Sequence, residues 1–246
     1  MKNRSSSIIG SILAALAIIA VLVIGVMMFG AKLGLWQPIV GFGLVRNYMN
    51  PIAYAVLGLG ILGVIYYLVV KSRCGLGKSL FTAVVGIALL APTIYGKINP
   101  PVRVPPIHDI TTDTINPPLF QVLDESREGA RNTLVYGDSE VAAFQQQAYP
   151  DIAPIFSDKS TQASFQEALR VAKEMGWEMV AEDQNALRFE ASAKTSVYQF
   201  VDDVVVVVSS VEGQSRVDIR SVSRIGRGDR GVNAERIRTF ISLFNK

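Results

Sequence analysis

The sequence predicts a membrane α-helical anchor followed by an α+β soluble domain, in which an antiparallel four-stranded meander is backed by helices. Three observations predict it. Residues 1–96 hold seven Lys or Arg, no Asp or Glu, and three long apolar runs. Residues 97–120 hold six prolines, which forbid regular helix and favour extended chain. Beyond them the hydrophobic spacing switches between the helical period and the strand period of two. The expected division is a three-helix transmembrane region over 1–96, a Pro-rich tether over 97–120 and the domain over 121–246.

Ile8 to Phe29 is an uncharged apolar run of 22 residues. At about 1.5 Å per residue this spans a hydrocarbon core of about 30 Å. It is too long for a signal-peptide core, and Phe29-Gly30-Ala31 lacks the small residue a cleavage site needs first. Ile52 to Val70, opened by Pro51, is the second expected span, and Leu80 to Tyr95, with Pro92 near its end, the third. Trp36, Tyr48, Tyr66, Tyr67 and Tyr95 lie near span ends, where interfacial aromatics belong. Gly58, Gly60 and Gly63 read as a close helix-packing patch.

Lys2 and Arg4 flank the first span, and Lys71, Arg73 and Lys78 crowd the link between the second and third. The link over 30–51 carries only Lys32 and Arg46. By the positive-inside rule the N-terminus is cytoplasmic and the domain lies on the outer, periplasmic side of a bacterial inner membrane. No Asp, Glu or His falls within a span, which argues against an ion or proton pathway in one chain.

All 21 acidic residues follow residue 96, so the rest of the chain is net −4 while the first part is +7. The pI near 9.0 therefore comes from the membrane flanks and gives no reason to expect nucleic acid as a partner. The single cysteine, Cys74, lies between spans. The domain can use neither thiol catalysis nor cysteine metal sites, and it suits an oxidising compartment.

In the domain, Glu140 to Gln147 reads as a short helix with Ser139 as N-cap. Thr161 to Met175 reads as a second, with Phe165, Leu169, Ala172 and Met175 at helical spacing and Gly176 as terminator. Strands follow at Trp177–Glu182 and Ala186–Thr195. Asp203–Val211, with five consecutive valines, suits a strand covered on both faces. In Ser215–Ile225, Val217, Ile219, Ser221 and Ser223 oppose Arg216, Asp218, Arg220 and Arg224. A final helix is expected from about Asn233, with Ile237, Phe240, Ile241 and Phe244 on its apolar face.

Several runs resemble the family named domain of unknown function 1499, over about residues 105–244. His108-Asp-Ile-Thr-Thr-Asp113 and Asn116-Pro-Pro-Leu-Phe120 are similar to its opening. Tyr149-Pro-Asp-Ile-Ala-Pro154, Met175-Gly-Trp177, Arg188-Phe-Glu-Ala191 and Asp202-Asp-Val204 are similar to its middle. Arg220-Ser-Val-Ser-Arg224, Gly226-Arg227, Asp229 and Gly231-Val-Asn-Ala-Glu-Arg-Ile-Arg238 are similar to its close. The resemblance implies a family and no activity.

Gly226-Arg-Gly-Asp-Arg-Gly231 fits the G-x-G-x-x-G spacing of dinucleotide sites. No parallel strand and no acidic residue about 20 positions on follow it, so no nucleotide cofactor is expected. It reads instead as a turn needing positive φ, leading to Asn233 as N-cap. His108, Asp109 and Asp113 could hold a metal weakly; local backbone bonds by Asp109, Thr111, Thr112 and Asp113 explain the same run, and no metal is expected.

From Ser215 onward eight basic residues face three acidic ones, against eight and 18 over 98–212. Arg220, Arg224 and Arg227, with Asp229 and Asn233 beside them, are thus the candidate binding residues, for an anionic headgroup or an acidic partner. Cross-strand pairing of these arginines with Asp202, Asp203 and Glu190 is the competing reading. The expected function is a non-enzymatic envelope protein whose outer domain binds a protein or lipid. The alternative is a membrane-bound hydrolase using Ser221 or Ser223 near the arginine cluster, although no base is visible beside either nucleophile.

Overall fold

The computed structural model describes residues 2–101, 103–137 and 139–246, except the side chains of 2–7 and Ser139. The expected cap at Ser139 and the flanking charges Lys2 and Arg4 therefore lie outside the described side chains. The chain forms two compact units, Met1–Val102 with Ser196–Gln199, and Arg103–Thr195 with Phe200–Lys246.

The first unit contains the helices α1 (Lys2–Phe29), α2 (Pro38–Val69) and α3 (Arg73–Ile98). Each is long and apolar enough to cross a membrane. The second does not begin at Pro51, as the sequence suggested. It starts at Pro38, which takes the first turn, and Pro51 lies inside it. Proline there removes one backbone hydrogen bond and its ring crowds the carbonyl four residues back, yet the helix continues past it. Thr93 donates to Asn50 Oδ1 at 2.7 Å beside this point. The link after α1 is correspondingly short, and Arg46 lies on α2.

Small residues let these helices approach. A Cβ on Gly60 would lie 2.4 Å from the Ala83 backbone nitrogen, and one on Gly86 2.5 Å from that of Leu57. Gly75 sits against the Tyr67 ring, whose hydroxyl accepts from the Gly10 amide at 2.9 Å.

In the second unit, β1 (Asp109–Thr111), β2 (Ile155–Ser157), β3 (Glu178–Asp183), β4 (Arg188–Lys194), β5 (Val201–Val211) and β6 (Gln214–Ser223) form one antiparallel sheet. The helices are α4 (Ser139–Ala148), α5 (Thr161–Glu174) and α6 (Val232–Phe244). The sheet order is β1-β6-β5-β4-β3, with β2 also on β6. Six strands replace the expected four. The meander of the last four is as read. β1 and β2 have three residues each, too few to show a period, and β1 lies in the proline-rich stretch read as a tether. It is fully buried, because β6 covers it with Asp109 opposite Val222 and Thr111 opposite Arg220.

Alternation sorts β5 and β6 onto two faces. Val204, Val206, Val208, Val217 and Ile219 meet Phe165, Leu169, Ile237 and Phe240 in the core. Trp177 stacks on Phe240 with ring centroids 5.5 Å apart. The other face carries Asp109, Asp203, Glu190, Arg220 and Arg224. It is covered by residues 112–137, which contain no helix or strand among those described.

Gly60→Ala should lower the thermal midpoint of the full chain in detergent, followed by helical circular dichroism. Overpacking of this kind costs about 1–3 kcal/mol. At Gly58 a Cβ would meet nothing within 4 Å. Gly58→Ala should leave the midpoint unchanged or raise it, as helix propensity alone would.

Candidate functional site

A segment of irregular backbone laid on a sheet needs partners for its amides and carbonyls. Side chains of the polar sheet face supply them. Glu190 is 1% exposed, and its carboxylate accepts the amides of Gln121, Val122 and Leu123. Arg188 donates to the Leu119 carbonyl and to Glu190 at 3.1 Å. Within the segment itself, Asp113 accepts the amides of Ile115 and Asn116, each at 2.8 Å. Burial pushes the Asp113 carboxyl up, but those amides and Arg216 hold it below its ordinary value.

Arg220 lies at the centre, 0% exposed. Its Nε and Nη2 donate to the two oxygens of Asp109 at 3.0 and 2.7 Å. Nη1 reaches the Pro118 carbonyl at 3.1 Å and Nη2 also the Leu134 carbonyl at 2.7 Å. The rings of Phe120 and Tyr136 lie against the guanidinium, 5.4 and 5.3 Å away. Burial raises the Asp109 carboxyl despite Arg220, and pushes the Tyr136 hydroxyl up to about 12.

Next to it, Asp203, also 0% exposed, gathers Arg127 Nη1 at 2.9 Å, Arg224 Nε and Nη2 at 3.0 and 2.9 Å, and Ser192 Oγ at 2.9 Å. Arg127 further donates to the Asp124 and Asn132 carbonyls, and Arg224 to that of Glu128. The pairing reading thus holds for Arg224 with Asp203. It is corrected for Arg220, whose partner is Asp109 on β1, and for Glu190, which pairs with Arg188. Asp202 projects to the opposite face and pairs with Arg236.

That opposite face carries a second polar network at the start of α6. Asn233 Nδ2 donates to the His108 carbonyl and Ser223 Oγ at 3.0 and 2.9 Å, while its Oδ1 accepts from Ser221 Oγ at 2.7 Å. Arg236 donates to Ser221 Oγ at 3.0 Å and also to Asn233 Oδ1. The serine hydroxyls are therefore held by an amide and a guanidinium, neither of which can take a proton as a base.

Asn233 is not the N-cap that the sequence suggested. Gly231, with φ of 85°, holds that place, and Asp229 caps the helix by accepting the Gly231 and Asn233 amides at 2.9 and 2.6 Å. Burial raises the Asp229 carboxyl against these bonds. The amides that a phosphate would use at this helix start are thus occupied by a side chain of the same loop. Gly228 is needed for a different reason: a Cβ there would lie 2.8 Å from Pro106 Cα.

The other loop candidates divide. His108 Nδ1 lies 3.5 Å from the Arg227 carbonyl, and Thr112 Oγ1 donates to Asp218 and accepts the Ile219 amide. Asp113 pairs with Arg216, away from Asp109, which belongs to Arg220. Sequence reasoning missed Arg127, one charge among Asp124, Glu125, Glu128 and Arg131 in an aperiodic stretch. It also missed Gln145 on α4, whose amide bonds both the N–H and the carbonyl of Thr111 at 3.0 and 2.6 Å, as a neighbouring strand would.

Arg220→Ala should cost about 3–5 kcal/mol by leaving a buried carboxylate uncompensated. Arg224→Ala should cost less, about 1–3 kcal/mol, because it is partly exposed and Asp203 keeps Arg127. Denaturant unfolding of the full chain in detergent, read by Trp177 fluorescence with Trp36→Phe in the background, measures both. A double-mutant cycle should show strong coupling of Arg220 to Asp109.

A search of curated proteins found no match. The model of the family described as protein of unknown function (DUF1499) matches residues 109–244. The match begins on the first residue of β1 and ends on the last of α6, leaving the three apolar helices outside it. The chain belongs to that family.

Proposed function

We propose that α1–α3 anchor this chain in the inner membrane of a bacterium, with the N-terminus cytoplasmic, and that the sheet domain works on the outer side as a non-catalytic binding module for a protein or lipid partner. The observation that carries the anchoring is the surface of the helices. Their apolar windows have mean hydropathies of 3.1, 2.2 and 1.8, yet only 22%, 28% and 28% of each is buried. Leu62, Val69 and Val84 are more than 60% exposed. Water would penalise such surface by about 25 cal/mol per Å², whereas lipid would not.

The topology is supported by Lys71 in the link between α2 and α3, with Arg73 and Lys78 in the first turns of α3. The sheet-face charges bear on where such a partner would bind. Arg220 and Asp203 are engaged inside the domain, which leaves recognition to its exposed loops.

With a C-terminal tag, external protease should remove the tag once any outer membrane is permeabilised, in cells whose inner membrane is intact. Carbonate washing should leave the chain in the membrane. A tag protected until the inner membrane is lysed would reverse the orientation.

A further inference from the structure

We infer that Leu119, Val122 and Val135, edged by Asp124 and Glu125, dock a protein segment bearing aliphatic and cationic side chains, an inference that rests on the binding role proposed above. The three aliphatic residues lie on the segment that covers the polar sheet face, and they are 64%, 59% and 73% exposed. Exposed aliphatics scattered singly are ordinary, whereas a group of them held on ordered backbone marks a contact surface.

Buried bonds bring the three together and turn them outward. The Pro118 and Leu134 carbonyls both accept from the Arg220 guanidinium, at 3.1 and 2.7 Å. The rings of Phe120 and Tyr136 both lie against that guanidinium, 5.4 and 5.3 Å away. Each stretch thus reaches inward just before and just after its middle residue, which leaves Leu119 and Val135 side by side on the outer surface. Val122 is fixed close by, because Glu190 accepts the Gln121, Val122 and Leu123 amides and Arg188 joins Glu190 to the Leu119 carbonyl.

Charge selects the partner. Glu125 accepts from the Thr133 hydroxyl and the Leu134 amide at 2.7 and 2.8 Å, so its carboxylate lies beside Val135. Asp124, just past Val122, accepts from the Ser126 hydroxyl and amide at 2.6 and 2.8 Å. These bonds hold both carboxyls below their ordinary values, so both are charged at neutral pH. Arg127 lies 3.6 Å from Glu125 but is buried against Asp203, so a partner meets the carboxylate and not the cation. From residue 112 to 135 the exposed charged side chains are Asp124, Glu125, Glu128 and Arg131. The last two offset each other, on backbone bonded to Arg224. An anionic headgroup, or a second copy of this face, would set negative charge against Asp124 and Glu125. A basic partner would be attracted to them, and the cover's backbone, already ordered, loses little further freedom on binding it.

The test follows the methyl resonances of the full chain in phosphatidylcholine nanodiscs. The probes are a heptapeptide of three leucines between paired lysines and its glutamate-flanked counterpart. The methyls of Leu119, Val122 and Val135 should shift saturably with the lysine peptide, which should bind about tenfold more tightly than the glutamate peptide at low salt. Leu119→Ser with Val135→Thr should abolish the shifts. Asp124→Asn with Glu125→Gln should erase the preference between the peptides. In both variants the amides of Gln121–Leu123, held by Glu190, should stay protected from hydrogen exchange and so report an intact fold. Equal binding of the two peptides would overturn the partner's chemistry. Shifts confined to other methyls of the domain would overturn this surface and leave the binding role standing. Response to neither peptide would overturn the docking and leave the anchoring, which tag cleavage judges separately, in place. Shifts of the three residues that grow with the concentration of the chain alone would overturn it in favour of a second copy, and shifts that need added phosphatidylglycerol in favour of lipid.

Discussion

The buried pair of Arg220 and Asp109 is the contact on which the domain's architecture turns. Two ions withdrawn from water are stabilising only if geometry is good and every remaining donor is met. Here Nε and both terminal nitrogens of Arg220 are engaged, two of the acceptors being carbonyls of the covering segment. One side chain therefore joins β6 to β1 and holds down residues 118 and 134. Phe120 and Tyr136 exclude water from the pair, which strengthens its bonds and raises the cost of removing either partner. Glu190, Arg127 and Arg224 repeat the arrangement nearby, so a segment with no ladder of its own is ordered by charge-assisted bonds from the sheet.

The two charge populations of the domain follow from this. Residues 98–212 are net −10 and residues 213–246 net +5. The imbalance looks like a binding surface in one dimension. In three dimensions much of it is internal neutralisation, since Arg220 on β6, Arg224 just after it and Arg236 on α6 pair with carboxylates on β1 and β5. Outside this arrangement, Arg170 and Arg238 pair on the helix surfaces with Glu167, Glu174 and Asp151.

Periodic segments were legible in the sequence. The alternation in β6 correctly separated Ile219 from Arg220, and the valine run in β5 correctly announced cover on both faces. What escaped notice depends on distant pairing. Arg220 meets Asp109 across 111 residues of sequence, a distance no local pattern encodes. β1 has three residues and no period, and residues 112–137 are ordered by partners elsewhere in the chain. Likewise Asn233 looked like a cap from its position, but its amide is drawn to His108 and Ser223, and Asp229 takes the cap instead.

The pairing of β1 with β6 also bears on synthesis. The apolar helices leave the ribosome first, then β1, and β1 must wait more than a hundred residues for β6. Loop closure over that length is slow, and contact order of this kind delays the folding step. During the wait, the edge of β1 and the charged segment behind it stand open to other chains. Synthesis of the apolar helices and closure of the sheet are thus separated in time, and the unpaired edge of β1 is exposed to misassembly in that interval.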